Sequence, residues 1–89
     1  MYRLEVTKPA QRELNKLGDK ELERIVSVIR SLRENPRPKG SRTLRRNIHR
    51  IRVGDWRIIY AAFDKDKLVI VGKVARRSER TYDKIDELF

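Results

Sequence analysis

The stretch that decides the fold runs from residue 48 to residue 63 and reads IHRIRVGDWRIIYAAF. Apolar and polar residues alternate before and after Gly54-Asp55, which is the pattern of half-buried β-strands. A Gly-Asp pair between two such runs is typical of a two-residue hairpin turn. We therefore predict an antiparallel hairpin, with Ile48–Val53 as its first strand and Trp56–Phe63 as its second.

The two faces of this hairpin differ in chemistry. Because side chains alternate along a strand, this turn places Arg52 opposite Arg57 and puts Arg50 on the same face, here called the arginine face. The other face carries Ile51, Val53, Trp56, Ile58 and Tyr60. Opposed like charges destabilise a strand pair, so we expect an anion to bind the arginine face. The alternative is an ordinary solvated surface, and the separation from the core is incomplete. The same face also carries Ile48, Ile59 and Ile70.

A third strand, Lys67–Val74, extends the hairpin into an antiparallel meander. With Lys65-Asp66 as a two-residue turn, Arg57 lies opposite the last residue of this strand, and Arg76 projects from the arginine face just beyond it. Arg52, Arg57 and Arg76 are therefore predicted to converge across three strands, provided that no bulge shifts the register.

Before the hairpin, the sequence predicts a strand and two helices. Apolar residues alternate with polar ones over residues 2–6, as in a short strand. They then recur every three to four positions between Thr7 and Gly18, and again between Asp19 and Leu32, which indicates two helices joined by a short turn. Pro36–Thr43 reads PRPKGSRT and is predicted to be a basic surface loop.

A short helix is predicted after Glu79, because Tyr82, Ile85 and Leu88 or Phe89 follow at helical spacing. The complete order is a strand, two helices, three strands and a helix. This order is typical of an α+β fold with helices packed on one face of a sheet. The length of 89 residues suits a single domain, 1–89.

The charge balance points to a polyanionic partner. The chain has 23 Lys+Arg against 13 Asp+Glu, a formal net charge of +10, and such an excess favours binding to nucleic acid, an acidic lipid surface or an acidic protein. We expect a fringe of basic residues to attract phosphates. Its members are Arg37, Lys39, Arg42, Arg45, Arg46 and Arg77. Without cysteine and with one histidine, neither a disulfide framework nor a cysteine- or histidine-rich metal site is expected. No membrane span or leader is visible, so we expect a cytoplasmic protein.

Residues 47–82 read NIHRIRVGDWRIIYAAFDKDKLVIVGKVARRSERTY and resemble the RelE/ParE superfamily of toxins from toxin–antitoxin pairs, most closely RelE. The resemblance implies the RelE-like α+β fold for nearly the whole chain. It also implies a ribosome-dependent endoribonuclease that inhibits translation by cleaving messenger RNA in the decoding site. In that family the ribose 2′-hydroxyl attacks the adjacent phosphate, and neither a metal nor another cofactor is needed.

The resemblance also assigns candidate catalytic residues. Arg50 and Arg52 match the basic residues of the family's first hairpin strand, Arg57 matches the arginine of its second strand, Arg76 the arginine after its last strand, and Tyr82 its C-terminal tyrosine. Arginines can hold the scissile phosphate and neutralise the charge that grows on it. The tyrosine can stack on a nucleobase or orient the phosphate, or it can be a core residue of the C-terminal helix.

One feature departs from the family pattern. RelE proteins commonly carry lysines where this chain has Arg50 and Arg52, and an arginine stays protonated, so it does not act as a base. His49 is a candidate base, although strict alternation points it away from the arginine face. Lys73 and Glu79 are weaker candidates.

The resemblance implies partners as well. We expect an acidic antitoxin that forms a hetero-oligomer with this chain and either covers the arginine face or displaces the C-terminal helix. The ribosome and messenger RNA are the expected targets. Two other functions stay open: a ParE-like inhibitor of DNA gyrase, and an RNA- or ribosome-binding module without catalysis.

Overall fold

A computed structural model describes residues 1–76 and 88–89 of the chain. Within these residues the elements are β1 (Arg3–Val6), α1 (Lys8–Asn15), α2 (Asp19–Ser31), β2 (Ser41–Arg45), β3 (Ile48–Val53), β4 (Trp56–Phe63) and β5 (Leu68–Arg76). The predicted strand, helical pair and meander are all confirmed, and the fold is α+β. The predicted C-terminal helix, with Tyr82, and the candidates Arg77 and Glu79 lie outside the described residues.

The five described strands form one mixed sheet in the order β1-β5-β4-β3-β2. β1 pairs in parallel with β5, with Leu4 opposite Val69, and the other pairs are antiparallel. The first strand of the chain therefore lies beside the last one. Neither helix of the described residues has both the length and the apolar character needed to cross a lipid bilayer.

The two helices pack on the apolar face of the meander. In α1, Thr7 caps the helix by accepting a hydrogen bond from the Ala10 N–H, and Pro9 stands in the first turn, where no intrahelical donor is lost. The inward face of each helix is apolar because residues three to four positions apart lie on one side. The main core consists of Ala10, Leu14, Ile25, Ile29, Leu32, Ile51, Val53, Ile58, Tyr60, Ala62, Val69, Val71 and Val74.

Strand β2 corrects one prediction. The segment Pro36–Thr43 was expected to be a loop, but its last three residues begin β2, which pairs with β3 and places Arg42 opposite Arg50. Four of the five residues of this strand are polar or charged, so the alternation that marks a half-buried strand is missing. An edge strand tolerates such a composition, because charges on an edge discourage pairing with a further strand.

A bulge at Gly72 corrects a second prediction. The register expected from a turn at Lys65-Asp66 is present from the Phe63–Leu68 pair to the Tyr60–Val71 pair. Beyond that point one extra residue, Gly72, shifts the register, so Arg57 lies opposite Ala75 rather than Val74. A shift of one residue reverses the faces of everything that follows. Arg76 therefore lies opposite Trp56, on the helix side of the sheet, and not on the arginine face.

The free edge of β5 is closed by α1. β1 pairs only with Leu68–Val71, so the next backbone donors of β5 have no strand neighbour on this side among the described residues. Oε1 of Glu13 accepts a hydrogen bond from the Val74 N–H at 2.9 Å, and its Oε2 lies 2.8 Å from Nζ of Lys73. A helix carboxylate thus replaces the missing strand and fixes the end of β5 that leads to Arg76.

Candidate anion-binding site at the end of the sheet

The β3–β4 hairpin has the predicted register. Arg52 lies opposite Arg57 and Val53 lies opposite Trp56, with Gly54 in the turn at a φ of 60°. A positive φ at the first turn residue suits glycine and the turn types that match the twist of a hairpin. The structure therefore confirms that two arginines occupy directly opposed positions at this end of the sheet.

Arg50 is the most constrained arginine of this face. Its residue surface is only 7% exposed, and in the register it lies between Arg42 and Ile59. Its Nε–H has no hydrogen-bond acceptor among residues 1–76 and 88–89. A buried donor without an acceptor costs about 1–3 kcal/mol, and an anionic oxygen at this position would remove that cost. The arginine face is thus suited to an anion by geometry as well as by charge.

Arg42 belongs to the arginine face rather than to an outlying fringe. Directly opposed residues of an antiparallel pair project from the same face, and Arg42 is opposed to Arg50. The face therefore holds Arg42, Arg50, Arg52 and Arg57 on three adjacent strands. Two rows of opposed arginines make this surface strongly attractive to phosphate oxygens.

The arginine face is not charged throughout. As its sequence pattern indicates, it also holds Ile48 and Ile59, which are buried in a small second core with Leu44 and Leu88. A Cβ on Gly72 would lie 2.6 Å from the Phe89 ring, so the C-terminal residues sit directly on this face. Leu88 and Phe89 thus lie on the apolar part of this face.

Arg76 is at the same end of the sheet but does not join the other arginines. Its guanidinium carbon lies 4.9 Å from the centroid of the Trp56 ring. The indole Nε1–H in turn donates a hydrogen bond to Oε2 of Glu21. The predicted convergence of Arg52, Arg57 and Arg76 on one face is therefore wrong, because the bulge at Gly72 turns Arg76 to the helix side.

Arg24 is a basic residue at this site that sequence reasoning missed. It is exposed on α2, and a Cβ on Gly54 would lie 3.3 Å from its Nη1, so its guanidinium lies against the turn of the β3–β4 hairpin. Its position off the apolar stripe gives no signal of this contact, which depends on how the helix packs. With it, arginines approach the end of the sheet from the helix layer as well as from the strands.

His49 lies on the opposite side of the sheet from the arginine face, as alternation predicts. It is buried opposite Tyr60, with ring centroids 5.4 Å apart, and its Nδ1 lies 3.1 Å from Oγ1 of Thr43. Burial lowers the pKa of His49, and the nearby charge of Arg37 lowers this pKa further. A neutral, enclosed imidazole behind the sheet is a structural residue and not a base for the arginine face.

Lys73 is also unsuited to remove a proton. Its ammonium group is 2.8 Å from the Glu13 carboxylate, in a part-buried ion pair at the margin of the sheet beside α1. The ion pair engages this ammonium group with a carboxylate of α1. The described residues therefore provide cations that bind and stabilise an anion, and this geometry assigns the role of base to neither Lys73 nor His49.

The outlying basic residues divide into two groups. Arg37 forms two hydrogen bonds of 3.1 Å to the Asp64 carboxylate, which also accepts one of 2.8 Å from the Tyr2 hydroxyl. These bonds lower the pKa of Asp64, and those from Arg37 lower it most. Arg37 thus ties its loop to the β4–β5 turn. The second group is exposed on and around β2 and consists of Lys39, Arg45 and Arg46.

Comparison with known proteins places this arrangement in a family. A family model described as the ParE toxin of the type II toxin–antitoxin system parDE matches residues 4–81. A protein named putative toxin RelE1, from Methanocaldococcus jannaschii, is 27% identical over 81 residues, which cover 85% of this chain and 90% of that protein.

Solved structures agree with this family. RelE in the RelE–RelB complex of Pyrococcus horikoshii is 25% identical with a TM-score of 0.77, over 88% of this chain and 97% of that one. The toxin–antitoxin complex RelBE2 of Mycobacterium tuberculosis contains a chain that is 28% identical with a TM-score of 0.74, over 85% of this chain and 98% of that one. Isolated RelE from E. coli shares the fold with a TM-score of 0.78 at 21% identity, over 98% and 97% of the two chains. The chain described here belongs to the ParE toxin family of type II toxin–antitoxin systems, within the RelE/ParE superfamily, and has the fold of a RelE-type toxin.

Proposed function

We propose that this toxin is a ribosome-dependent endoribonuclease that cleaves messenger RNA in the decoding site and so stops translation. The observation that carries the proposal is Arg50, a buried arginine whose Nε–H has no acceptor among the described residues. It stands on a face with three further arginines, where a backbone phosphate would supply the missing acceptor. The likeness to RelE-type toxins supports the same activity.

The chemistry needs no metal in this proposal. The ribose 2′-hydroxyl oxygen attacks the adjacent phosphorus and loses its proton, while the bond to the 5′-oxygen breaks and that oxygen gains a proton. Negative charge grows on the non-bridging phosphate oxygens during the attack. Arg50, Arg52 and Arg57 are permanently charged donors that bind this charge in fixed positions.

The geometry assigns no base to the site among the described residues, and this explains why the ribosome is needed. Arginine does not accept a proton, His49 lies behind the sheet, and Lys73 is paired with Glu13. The protein therefore stabilises the transition state better than it activates the 2′-hydroxyl. Positioning of the RNA on the ribosome compensates for this deficit, because alignment of a nucleophile with its phosphorus can replace much of a base's contribution. Free RNA is expected to be cut poorly.

Arg76 and Tyr82 have roles of their own in this proposal. Arg76 contacts the phosphate region from the end of the sheet, one residue beyond Ala75, which lies opposite Arg57. Tyr82 stacks on a nucleobase or orients the phosphate, as its match to the family's C-terminal tyrosine implies. Lys39, Arg45 and Arg46 attract ribosomal and messenger RNA from the exposed surface around β2, and Arg42 does so from the arginine face. Arg77 is proposed as a further RNA-binding residue.

A cognate acidic antitoxin is the proposed protein partner, and the two form a hetero-oligomer in the cytoplasm, where the ribosome is. The net charge of +10 favours a partner of opposite charge. The related toxins of P. horikoshii and M. tuberculosis are known in complexes with their antitoxins. We expect this antitoxin to cover the arginine face or to displace the predicted C-terminal helix.

The proposal is tested by adding purified protein to translating ribosomes and mapping the ends of the messenger RNA by primer extension. Wild-type protein is expected to produce defined cuts, and Arg57→Ala and Arg50→Ala to lower the cleavage rate by about 100-fold or more, as loss of a donor to transition-state charge does. Arg30→Ala is the matched control. It removes an exposed arginine from α2, about 9 Å along the helix from Arg24 and away from the hairpin, and should cut normally.

Other outcomes of this experiment identify the other functions. The matching family model bears the ParE name, so inhibition of DNA gyrase is the second candidate. Intact RNA together with gyrase-linked DNA breaks would replace the ribonuclease proposal by that function. Intact RNA with the protein bound to ribosomes would indicate a binding module without catalysis.

A further inference from the structure

Trp56 connects α2 to the end of β5 through two contacts of its indole ring. The Nε1–H donates a hydrogen bond to Oε2 of Glu21, which stands in the first turn of α2. The guanidinium carbon of Arg76 lies 4.9 Å from the ring centroid, and Arg76 is directly opposite Trp56 in the sheet. Two successive side-chain contacts, carboxylate to indole and indole to guanidinium, thus link the helix layer to the end of β5.

These contacts restrict the orientation of the Arg76 side chain. Arg76 is exposed and ends β5, and an arginine side chain has many accessible rotamers. The face of an aromatic ring attracts a guanidinium and favours one orientation of it. The ring is itself held, because it is half-buried against the main core and its only polar atom is bonded to Glu21.

This arrangement also limits what else the tryptophan can do. The ring face that Arg76 covers is not open to a nucleobase, so base stacking on that face would require Arg76 to leave. The hydrogen bond to Glu21 also fixes the plane of the ring relative to α2. The contacts of Trp56 are suited to an aromatic ring that orients a cation.

We propose that Trp56, held by Glu21, is a positioning residue that orients the Arg76 guanidinium toward the RNA phosphate at the end of the sheet. The inference rests on the proposed ribonuclease function and deepens it. It assigns a role to two residues, one on a helix and one on a strand, that do not touch the RNA.

A double-mutant cycle in single-turnover cleavage of messenger RNA on ribosomes tests this role. Trp56→Leu is expected to lower the cleavage rate about two- to five-fold, the effect of losing one exposed cation–π contact. In an Arg76→Ala protein the same change should have almost no effect, because the cation that it orients is gone. Trp56→Phe keeps a ring face and should restore most of the rate. Glu21→Ala should lower the rate when Arg76 is present, whereas Glu21→Gln keeps an acceptor oxygen and should not.

The same cycle is measured on the dissociation constant for ribosomes that carry an uncleavable message with a single 2′-deoxy nucleotide. This second measurement stays readable if Arg76→Ala removes all cleavage. Each variant is assayed below the temperature at which it begins to unfold. An equal loss from Trp56→Leu with and without Arg76, in either measurement, would show a structural role only and overturn the inference while the ribonuclease proposal stands. Wild-type protein that leaves ribosome-bound RNA intact would overturn both.

Discussion

The carboxylate of Glu13 accepts a hydrogen bond of 2.9 Å from the backbone N–H of Val74. This contact satisfies a backbone donor of β5 beyond the residues that pair with β1. The same carboxylate holds the ammonium group of Lys73 at 2.8 Å. One side chain of α1 therefore supports the strand that leads to Arg76, and the stability of the fold and the position of the site are linked through it.

Replacement of Glu13 separates its two contacts. Glu13→Ala leaves a part-buried N–H without its acceptor and should lower the free energy of unfolding by about 1–3 kcal/mol. Glu13→Gln keeps an oxygen for the Val74 N–H and loses only the ion pair with Lys73, so it should cost less than half as much. Urea denaturation followed by circular dichroism gives both values. Glu23→Ala, on an exposed position of α2, is the control for a lost carboxylate. Equal losses in the Ala and Gln variants would contradict the role of the hydrogen bond.

Gly72 packs against the ring of Phe89. A Cβ at this position would lie 2.6 Å from Cε1 of Phe89, so Gly72→Ala must displace the ring from the sheet. We expect a loss of about 1–3 kcal/mol in the free energy of unfolding, as for other overpacked sites. In a Phe89→Ala protein the ring is absent and only the Leu88 carbonyl oxygen, 3.1 Å from the added Cβ, stays close, so Gly72→Ala should cost less. Additive losses in the double variant, measured by thermal unfolding, would show that the two residues do not meet.

Sequence and structure agree where local rules determine the result. Gly54-Asp55 fixes the turn, and the alternation on either side of it then sets Arg52 against Arg57. The bulge at Gly72 is harder to predict, because an isolated glycine in a strand can mark a bulge or a close approach of the backbone and does not by itself decide between them. This single residue decides the face of Arg76, so Arg50, Arg52 and Arg57 share one face as predicted and Arg76 does not.

Contacts between layers were the other part that the sequence could not provide. Arg24 and Glu21 look like ordinary solvated positions of α2, yet one reaches the hairpin turn and the other the Trp56 indole. Such contacts depend on how the helix is set on the sheet, which no periodicity along the chain encodes. The closure of the β5 edge by Glu13 is of the same kind.

Stability should depend on pH through His49. Burial lowers the pKa of this histidine in the folded state below its usual value, so the unfolded chain takes up the proton first as the pH falls. The stabilisation from the neutral imidazole is complete above the ordinary histidine pKa of about 6.5 and is lost as the pH falls from there through the lowered value. Denaturation midpoints of wild type and His49→Gln between pH 7.5 and 5, roughly the range where histidine titrates, should show a steeper decline for wild type. Equal slopes would contradict the assignment.

The same histidine should be silent in catalysis. Because His49 lies behind the sheet, the variant His49→Gln should cleave ribosome-bound RNA with the pH dependence of the wild-type protein at temperatures where both are folded. A titration that disappears from the rate profile of the variant would show that His49 acts as the base after all.

Arg42 should contribute to RNA affinity as a phosphate contact. Its place opposite Arg50 predicts that Arg42→Ala weakens binding to ribosomes and reduces the slope of log affinity against log salt by about one. Arg30→Ala removes the same charge from α2 and should leave the slope nearly unchanged. If the two variants have the same salt dependence, Arg42 acts only through the net charge of the protein.

We propose that the arginine face promotes cleavage of RNA through attack of the RNA's own 2′-hydroxyl on the adjacent phosphate. The most direct measurement compares two messages on the ribosome, identical except for one 2′-deoxy nucleotide at the cleavage position. The unmodified message should be cut and should end in a 2′,3′-cyclic phosphate, while the deoxy message should stay intact but still bind the protein. Cleavage of the deoxy message, or no cleavage of either one, would contradict this account.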